Sequence, residues 1–256
     1  MNANADARVT TICRYPVKGL SPEILKRVNL RCGQTLPHDR EWAIENGSSG
    51  FDPTAPAHLP KSKFLMLMRN ERLALLDIEF DEDSTSLTVL RDGKAVVTGK
   101  LDDLLGHRIL EQFFAGFMEA DLRGAPKILS CEGHSFSDVP DKCVSIINRA
   151  TCDEIARVAG KPVDPARFRG NFIVDDLPAW GEFDWVGQQI QLGTAKLEVY
   201  ARIRRCAATN VNLDTATRDL QLPKTLQNAF GHMDCGVYAR VIEDGEVKTG
   251  SVVGLI

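Results

Sequence analysis

The sequence predicts a mainly β protein with some α, built as a β-barrel domain preceded by a β-rich α+β domain. Three observations carry this. Short alternating segments bounded by Gly, Asp and Asn recur along the 256 residues. Turn signals such as Asp92-Gly93 separate them at close spacing. Only one stretch, from Leu101 to Met118, has a long helical period.

In chain order, the first half is expected to supply strands at Val9 to Arg14, Ile24 to Leu30, Glu41 to Glu45, Leu75 to Phe80, Leu87 to Leu90 and Ala95 to Thr98. The last two are joined by the Asp92-Gly93 hairpin turn. The helix over Leu101 to Met118 places Leu104, Leu105, Ile109, Leu110, Phe113, Phe114 and Phe117 at core-facing spacing. Arg123-Gly-Ala-Pro126 reads as a linker, so the domains are expected at 1–125 and 126–256.

The second half resumes with strands at Ile128 to Cys131 and Val144 to Asn148. A short helix from Cys152 to Ala159 is expected to start on a Thr151 cap and stop at Gly160. Further strands are expected at Asn171 to Val174, Gln189 to Leu192, Lys196 to Ile203, Ala207 to Asn212, Val237 to Ile242 and Glu246 to Thr249. Glu243-Asp-Gly-Glu246 reads as another hairpin.

Composition narrows the function. A net charge of −4 argues against non-specific coating of nucleic acid. The segment Met1 to Arg8 lacks the apolar core of a secretory signal, and no stretch is long enough to span a bilayer, so a cytoplasmic protein without membrane contact is expected. Seven cysteines (Cys13, Cys32, Cys131, Cys143, Cys152, Cys206, Cys235) form no CxxC pair, which favours reduced thiols. The five histidines lack zinc-site spacing, and usable triad, dinucleotide-binding or P-loop motifs are missing.

The candidate chemistry sits in four distant segments: Tyr15-Pro-Val-Lys18-Gly19, Asp39-Arg40-Glu-Trp42, Arg167-Phe-Arg169-Gly-Asn171 and Arg204-Arg205-Cys206. Each puts Lys or Arg at a strand end, where side chains can converge on one barrel mouth. Flanking positive charge favours thiolate at Cys206, and a soft thiolate suits a metal centre. Cys235, in His232-Met-Asp-Cys235, could sit near the pocket but reads more readily as packing; Phe136-Ser-Asp138 and Asp141-Lys142 could line the same site or lie outside it.

With Asp184-Trp-Val-Gly187, Asp234-Cys-Gly-Val-Tyr238 and Gly250-Ser251-Val252-Val253, these segments in this order resemble the MOSC superfamily, named for the molybdenum-cofactor sulfurase C-terminal domain. The resemblance is to two-part members with an N-terminal MOSC-associated barrel-like domain, similar to those that reduce amidoximes or detoxify N-hydroxylaminopurines. It implies that Cys206 ligates the molybdenum of a molybdenum cofactor (molybdopterin). It also implies that Lys18, Gly19, Arg40, Arg169, Asn171, Arg204, Arg205 and Tyr238 surround that cofactor. Arg offers phosphate a planar donor fork and Lys a point charge.

In the amidoxime-reducing members a serine usually follows the motif lysine, and another stands two before the cysteine; here they are Gly19 and Arg204. The implied activity is reduction of small N-hydroxylated or N-oxygenated compounds. Since the chain stops a few residues past the last motif, electrons are expected from a separate ferredoxin, flavodoxin or reductase. The alternative is a cofactor carrier or sulfur-transfer protein that uses Cys206.

Overall fold

The computed structural model describes residues 7–256, so the reading of a missing secretory signal falls mostly on residues outside the described ones. The strands are β1 (Ala7–Arg14), β2 (Glu23–Leu25), β3 (Arg27–Leu30), β4 (Trp42–Asn46), β5 (Asp77–Asp81), β6 (Ser86–Arg91), β7 (Lys94–Lys100) and β8 (Pro126–Ser130). The second half adds β9 (Val144–Asn148), β10 (Phe172–Asp175), β11 (Gln189–Leu192), β12 (Ala195–Arg204), β13 (Asp234–Glu243), β14 (Gly245–Lys248) and β15 (Val252–Leu255). Three α-helices, α1 (Leu104–Phe117), α2 (Arg149–Ala159) and α3 (Leu222–Phe230), complete a mainly β fold. No helix among the described residues is long and apolar enough to cross a membrane.

Seven strands close a barrel in the order β1-β10-β9-β13-β12-β11-β15 and back to β1, with β2 appended to β1. All neighbours are antiparallel except β9 and β10. Closure removes free edges, and inward positions such as Val9, Ile146, Phe172, Ile190, Leu197 and Val237 fill the interior. The N-terminal half instead carries a meander β5-β6-β7, packed against α1, and a β4-β8 ladder. The pairings cross the expected 125/126 boundary in both directions. β1 belongs to the barrel, β3 pairs with β14, and β8 pairs with β4.

Local chemistry explains most elements. Asp92 and Gly93 both have positive φ, 53° and 72°, which matches the right-handed twist of the β6-β7 hairpin. Asp103 caps α1 by accepting from the Gly106 amide at 2.6 Å. Gly160, at φ 67°, ends α2.

Several expectations are corrected. The cap of α2 is Asn148, not Thr151, because the Thr151 hydroxyl is engaged with the buried Glu182 carboxylate at 2.9 Å. Ala207 to Asn212 is no strand; Ala207–Asn210 is a 3-10 turn closed by the Cys206 carbonyl. Ile24 to Leu30 is split between β2, on the barrel, and β3, on β14. Leu75 ends a 3-10 turn before β5 begins. Glu243-Asp-Gly-Glu246 does not fold β14 back onto β13. Gly245 lies flat against Ala195, where a side chain would clash, and β14 passes on to β3. Strand β15 and helix α3 carried no clear sequence signal. Finally, Leu104 and Leu105 on α1 are 79% and 68% exposed, and only Leu110 and Phe114 of the apolar stripe are buried.

That helix is seated by Gly106, whose missing side chain leaves room for the Lys100 backbone. Replacing a helical glycine by alanine ordinarily adds about 1 kcal/mol of stability. Here overpacking reverses the sign, and Gly106→Ala is expected to cost about 1–3 kcal/mol in denaturant unfolding.

Candidate functional site

A cavity of about 450 Å³ opens where the barrel end meets the N-terminal half. Lys18, Gly19, Arg40, Arg169, Asn171, Arg204, Arg205, Cys206 and Tyr238 all line it. Beyond β1 the chain bends through Tyr15, and the Lys18 amide donates to the Trp42 carbonyl at 2.8 Å, registering the first motif on the second. Lys18 is buried. Its ammonium donates to the Phe136 carbonyl at 2.7 Å and to Asp138 Oδ1 at 2.6 Å. Burial lowers its pKa, and the Asp138 carboxylate opposes that shift.

Two arginines share one aromatic support. Arg40 and Arg169 both have left-handed backbones, at φ 53°, and both guanidinium carbons stand over the Tyr15 ring, at 4.4 and 4.3 Å. Arg40 is tied down: it pairs with Asp39 and donates to the Arg169 carbonyl at 2.8 Å. Asp39 in turn accepts from the Tyr15 amide at 2.9 Å. The Arg169 guanidinium has no hydrogen-bond or ion-pair partner among the described residues, and burial lowers its pKa to about 10. It is a donor fork held at the cavity wall over the Tyr15 ring.

Cys206 follows the end of β12 in extended conformation, with its carbonyl accepting from Thr209 Oγ1 at 2.9 Å. The cation touching its thiol is neither neighbouring arginine but Lys61, whose Nζ lies 3.4 Å from Sγ. Lys61 also pairs with Asp138 Oδ2 at 2.7 Å. Asp138 therefore joins two lysines from different segments. Burial alone would raise its pKa, but Lys18 and Lys61 outweigh this and hold it well below the usual carboxylate range. Of the two segments left open, Asp138 is central and Asp141 lines the cavity, while Lys142 bonds Gln34 on the exposed side. Lys61 was missed, because a lysine in a Pro-Lys-Ser-Lys turn looks like any solvated surface charge.

The other candidates differ in how the protein holds them. Arg205 lines the cavity, yet its donors go to the Phe168 and Cys235 carbonyls, at 2.8 Å each, clamping the barrel end. Asn171 is buried and held at both ends: Oδ1 accepts from the Ser145 amide and hydroxyl at 3.0 and 2.9 Å, and Nδ2 donates to the Cys13 carbonyl at 3.2 Å. It ties β1, β9 and β10 together beneath the site. Tyr238 stacks on Tyr200 with centroids 6.1 Å apart. Arg204 is exposed at the rim. Cys235 is fully buried beside Cys152, the packing role read from sequence. Among the described residues no three His, Cys, Asp or Glu gather to hold a metal, so one bound at Cys206 would take its remaining ligands from elsewhere.

Gly19 has a backbone reason. Its φ is 90°, and a Cβ would stand 2.8 Å from the Leu65 carbonyl oxygen. Any side chain at this position is therefore strained, and Gly19→Ser is expected to lower stability by about 1–3 kcal/mol in thermal or denaturant unfolding.

Acid should destabilise the protein through Asp138 and through Asp219, which the Arg167 guanidinium holds down to about 2. Folded pKa values below the unfolded value give stability that is present above about pH 4 and lost as pH falls through the folded value. Unfolding free energy is expected to drop below that pH, and less steeply in Asp138→Asn/Asp219→Asn; equal slopes in both proteins would refute the assignment.

Residues 6–121 match the MOSC N-terminal beta barrel domain, and residues 133–254 match the MOSC domain. No curated protein matches the sequence. Among solved structures, the YuaD protein from Bacillus subtilis is 15% identical over 96% of this chain and 93% of that one, with a TM-score of 0.43. YiiM from Geobacillus stearothermophilus is 22% identical over 44% of this chain and 53% of its own, with a TM-score of 0.35. YiiM from Escherichia coli gives 22%, 44%, 53% and 0.34 in the same terms. The chain thus spans about half the length of the YiiM structures it matches. With both family domains found in sequence order over nearly all its length, the chain belongs to the MOSC family, as a protein with an N-terminal MOSC β-barrel domain followed by a MOSC domain.

Proposed function

We propose that this protein is a molybdenum-cofactor-dependent oxidoreductase that reduces N-hydroxylated compounds, with electrons from a separate ferredoxin, flavodoxin or reductase. One observation carries the reading. An accessible thiol, Cys206, shares a cavity with a guanidinium, Arg169, that has no hydrogen-bond or ion-pair partner among the described residues. The donor set fits a phosphorylated, sulfur-liganded cofactor. Arg169 is preset as a bidentate anion donor, Arg40 and Lys18 add positive charge beside it, and Cys206 is the one thiol in the cavity that is not buried.

When bound, the cofactor would supply two-electron chemistry, so that an N-hydroxy group, two electrons and two protons give an amine or amidine and water. The protein's part is binding and order. Tyr15 fixes Arg40 and Arg169 in place, Asn171 and Arg205 hold the barrel end that positions them, and Asp138 sets Lys18 and Lys61. Burial lowers the Lys61 pKa but the Asp138 carboxylate more than restores it, so Nζ keeps its proton beside Cys206 Sγ at neutral pH.

Protein produced in a cofactor-competent host is expected to carry molybdenum and pterin, measured by elemental analysis and by pterin fluorescence after oxidation. Cys206→Ala should retain pterin and lose molybdenum, and Arg169→Gln should lose both. Wild-type protein with neither would refute cofactor binding. Bound molybdenum without reduction of any N-hydroxylated compound by a chemical electron donor would instead favour the carrier reading, and a persulfide on Cys206 the sulfur-transfer one.

A further inference from the structure

The charges that line the cavity are unequal in what they have left to bind. Its three carboxylates are all paired: Asp39 with Arg40, Asp138 with Lys18 and Lys61, and Asp141 with Arg240. Among its arginines, Arg40 and Arg205 donate to backbone carbonyls, and Arg167 forms a two-pronged pair with Asp219 at 2.8 and 2.9 Å. Three guanidinium groups remain without a hydrogen-bond or ion-pair partner among the described residues: Arg169, Arg202 and Arg204. Every unsatisfied charge in the cavity is therefore positive, in a protein whose net charge is −4.

These three are not equivalent. Arg169 is half-buried over Tyr15, at the depth where the cofactor is proposed to sit. Arg202 and Arg204 are exposed and flank the buried Ile203 near the end of β12, so both project from the outer face of the strand that leads to Cys206. Arg202 lies 4.2 Å over the Phe183 ring, which restrains it without using its donors. Both line the same cavity as the Cys206 thiol.

We propose that Arg202 and Arg204 form an anion-selecting mouth, and that the compound turned over beside Cys206 carries a carboxylate or phosphate in addition to its N-hydroxy group. The word "substrate" rests on the reductase reading above, whereas selection of anions at the mouth does not. A planar guanidinium pair matches either oxyanion through two-pronged hydrogen bonds. A solvated surface pair with no selecting role is the competing explanation, as is an acidic face of the electron donor.

The mouth can be read without cofactor. Cys206 in the cofactor-free protein is alkylated with iodoacetate, an anion, and with neutral iodoacetamide, and the two rates are compared by peptide mass spectrometry with exposed Cys32 as internal reference. The rate ratio cancels differences in thiolate content. Two charges on the order of 10 Å from the thiol change encounter with a monoanion by about threefold to fourfold in a water-like dielectric. At low salt the iodoacetate preference at Cys206 should therefore fall about threefold in Arg202→Gln/Arg204→Gln, stay unchanged at Cys32, and disappear in both proteins as salt is raised. An unchanged ratio at Cys206 in the double variant overturns the proposal.

Protection of Cys206 from iodoacetamide by acetate or by inorganic phosphate at equal ionic strength identifies the preferred oxyanion, counting only protection that the double variant loses. In the loaded enzyme with a chemical electron donor, the double variant should lower kcat/KM for a carboxylated or phosphorylated N-hydroxy compound relative to its neutral counterpart. A double variant that impairs only turnover driven by a protein donor assigns the patch to that donor and overturns the substrate assignment. Failure to carry molybdenum removes the reductase reading and leaves the alkylation result standing.

Discussion

Insertion of β1 between β15 and β10 is the constraint on which the rest of the molecule depends. It closes a seven-stranded ring whose other six members come from the second half of the chain. Without it, β10 and β15 would face one another across an open gap with unpaired backbone groups on both sides. With it, the residues directly after β1 are delivered to the barrel end. Tyr15 is thereby placed under Arg40 and Arg169, and Lys18 reaches Asp138. A strand pairing thus builds the site as well as the barrel. Asn171 reinforces the join by bonding β9 and β1 at once from the start of β10.

Electrostatics at the site follow a second rule: every carboxylate lining the cavity is paired, and the side chains left without a partner among the described residues are arginines. Asp138 stabilises two ammonium groups that would otherwise be costly beside each other in a partly dry wall. Arg167 and Asp219 do the same on the far side. What is left unmatched, at Arg169 within and Arg202 and Arg204 at the mouth, is where anions would be recognised. In a protein of negative net charge this arrangement localises attraction to one opening.

Much of this was legible residue by residue. The alternation around β12, the Asp92-Gly93 turn and the Gly160 stop are local signals with local causes, and the structure shows each. The four basic segments could be read as one site because each puts Lys or Arg at a strand end and their order along the chain resembles the MOSC superfamily. Duties inside the site were less legible. Arg205 and Arg169 look alike in sequence, yet one clamps carbonyls and the other faces the cavity. Lys61 carried no sequence signal, since its importance comes only from lying beside Cys206, which is 145 residues away in the chain. The exposed part of α1 shows the same limit: a helical period marks an apolar stripe but not how wide a neighbour will cover it.

By itself the sequence determined the mainly β character, most strand positions and the set of cationic and thiol groups available for chemistry, because these depend on short-range periodicity and residue type. Only the tertiary structure decided which strands pair, as with β14 passing β13 for β3, and which charges stay free. It also decided that any side chain at position 19 is strained, since a positive φ and the Leu65 carbonyl crowd that position. The physical reason is common to all three. Pairing, neutralisation and steric exclusion are relations between groups far apart in the chain, and their outcome is set by where the closed barrel brings those groups together.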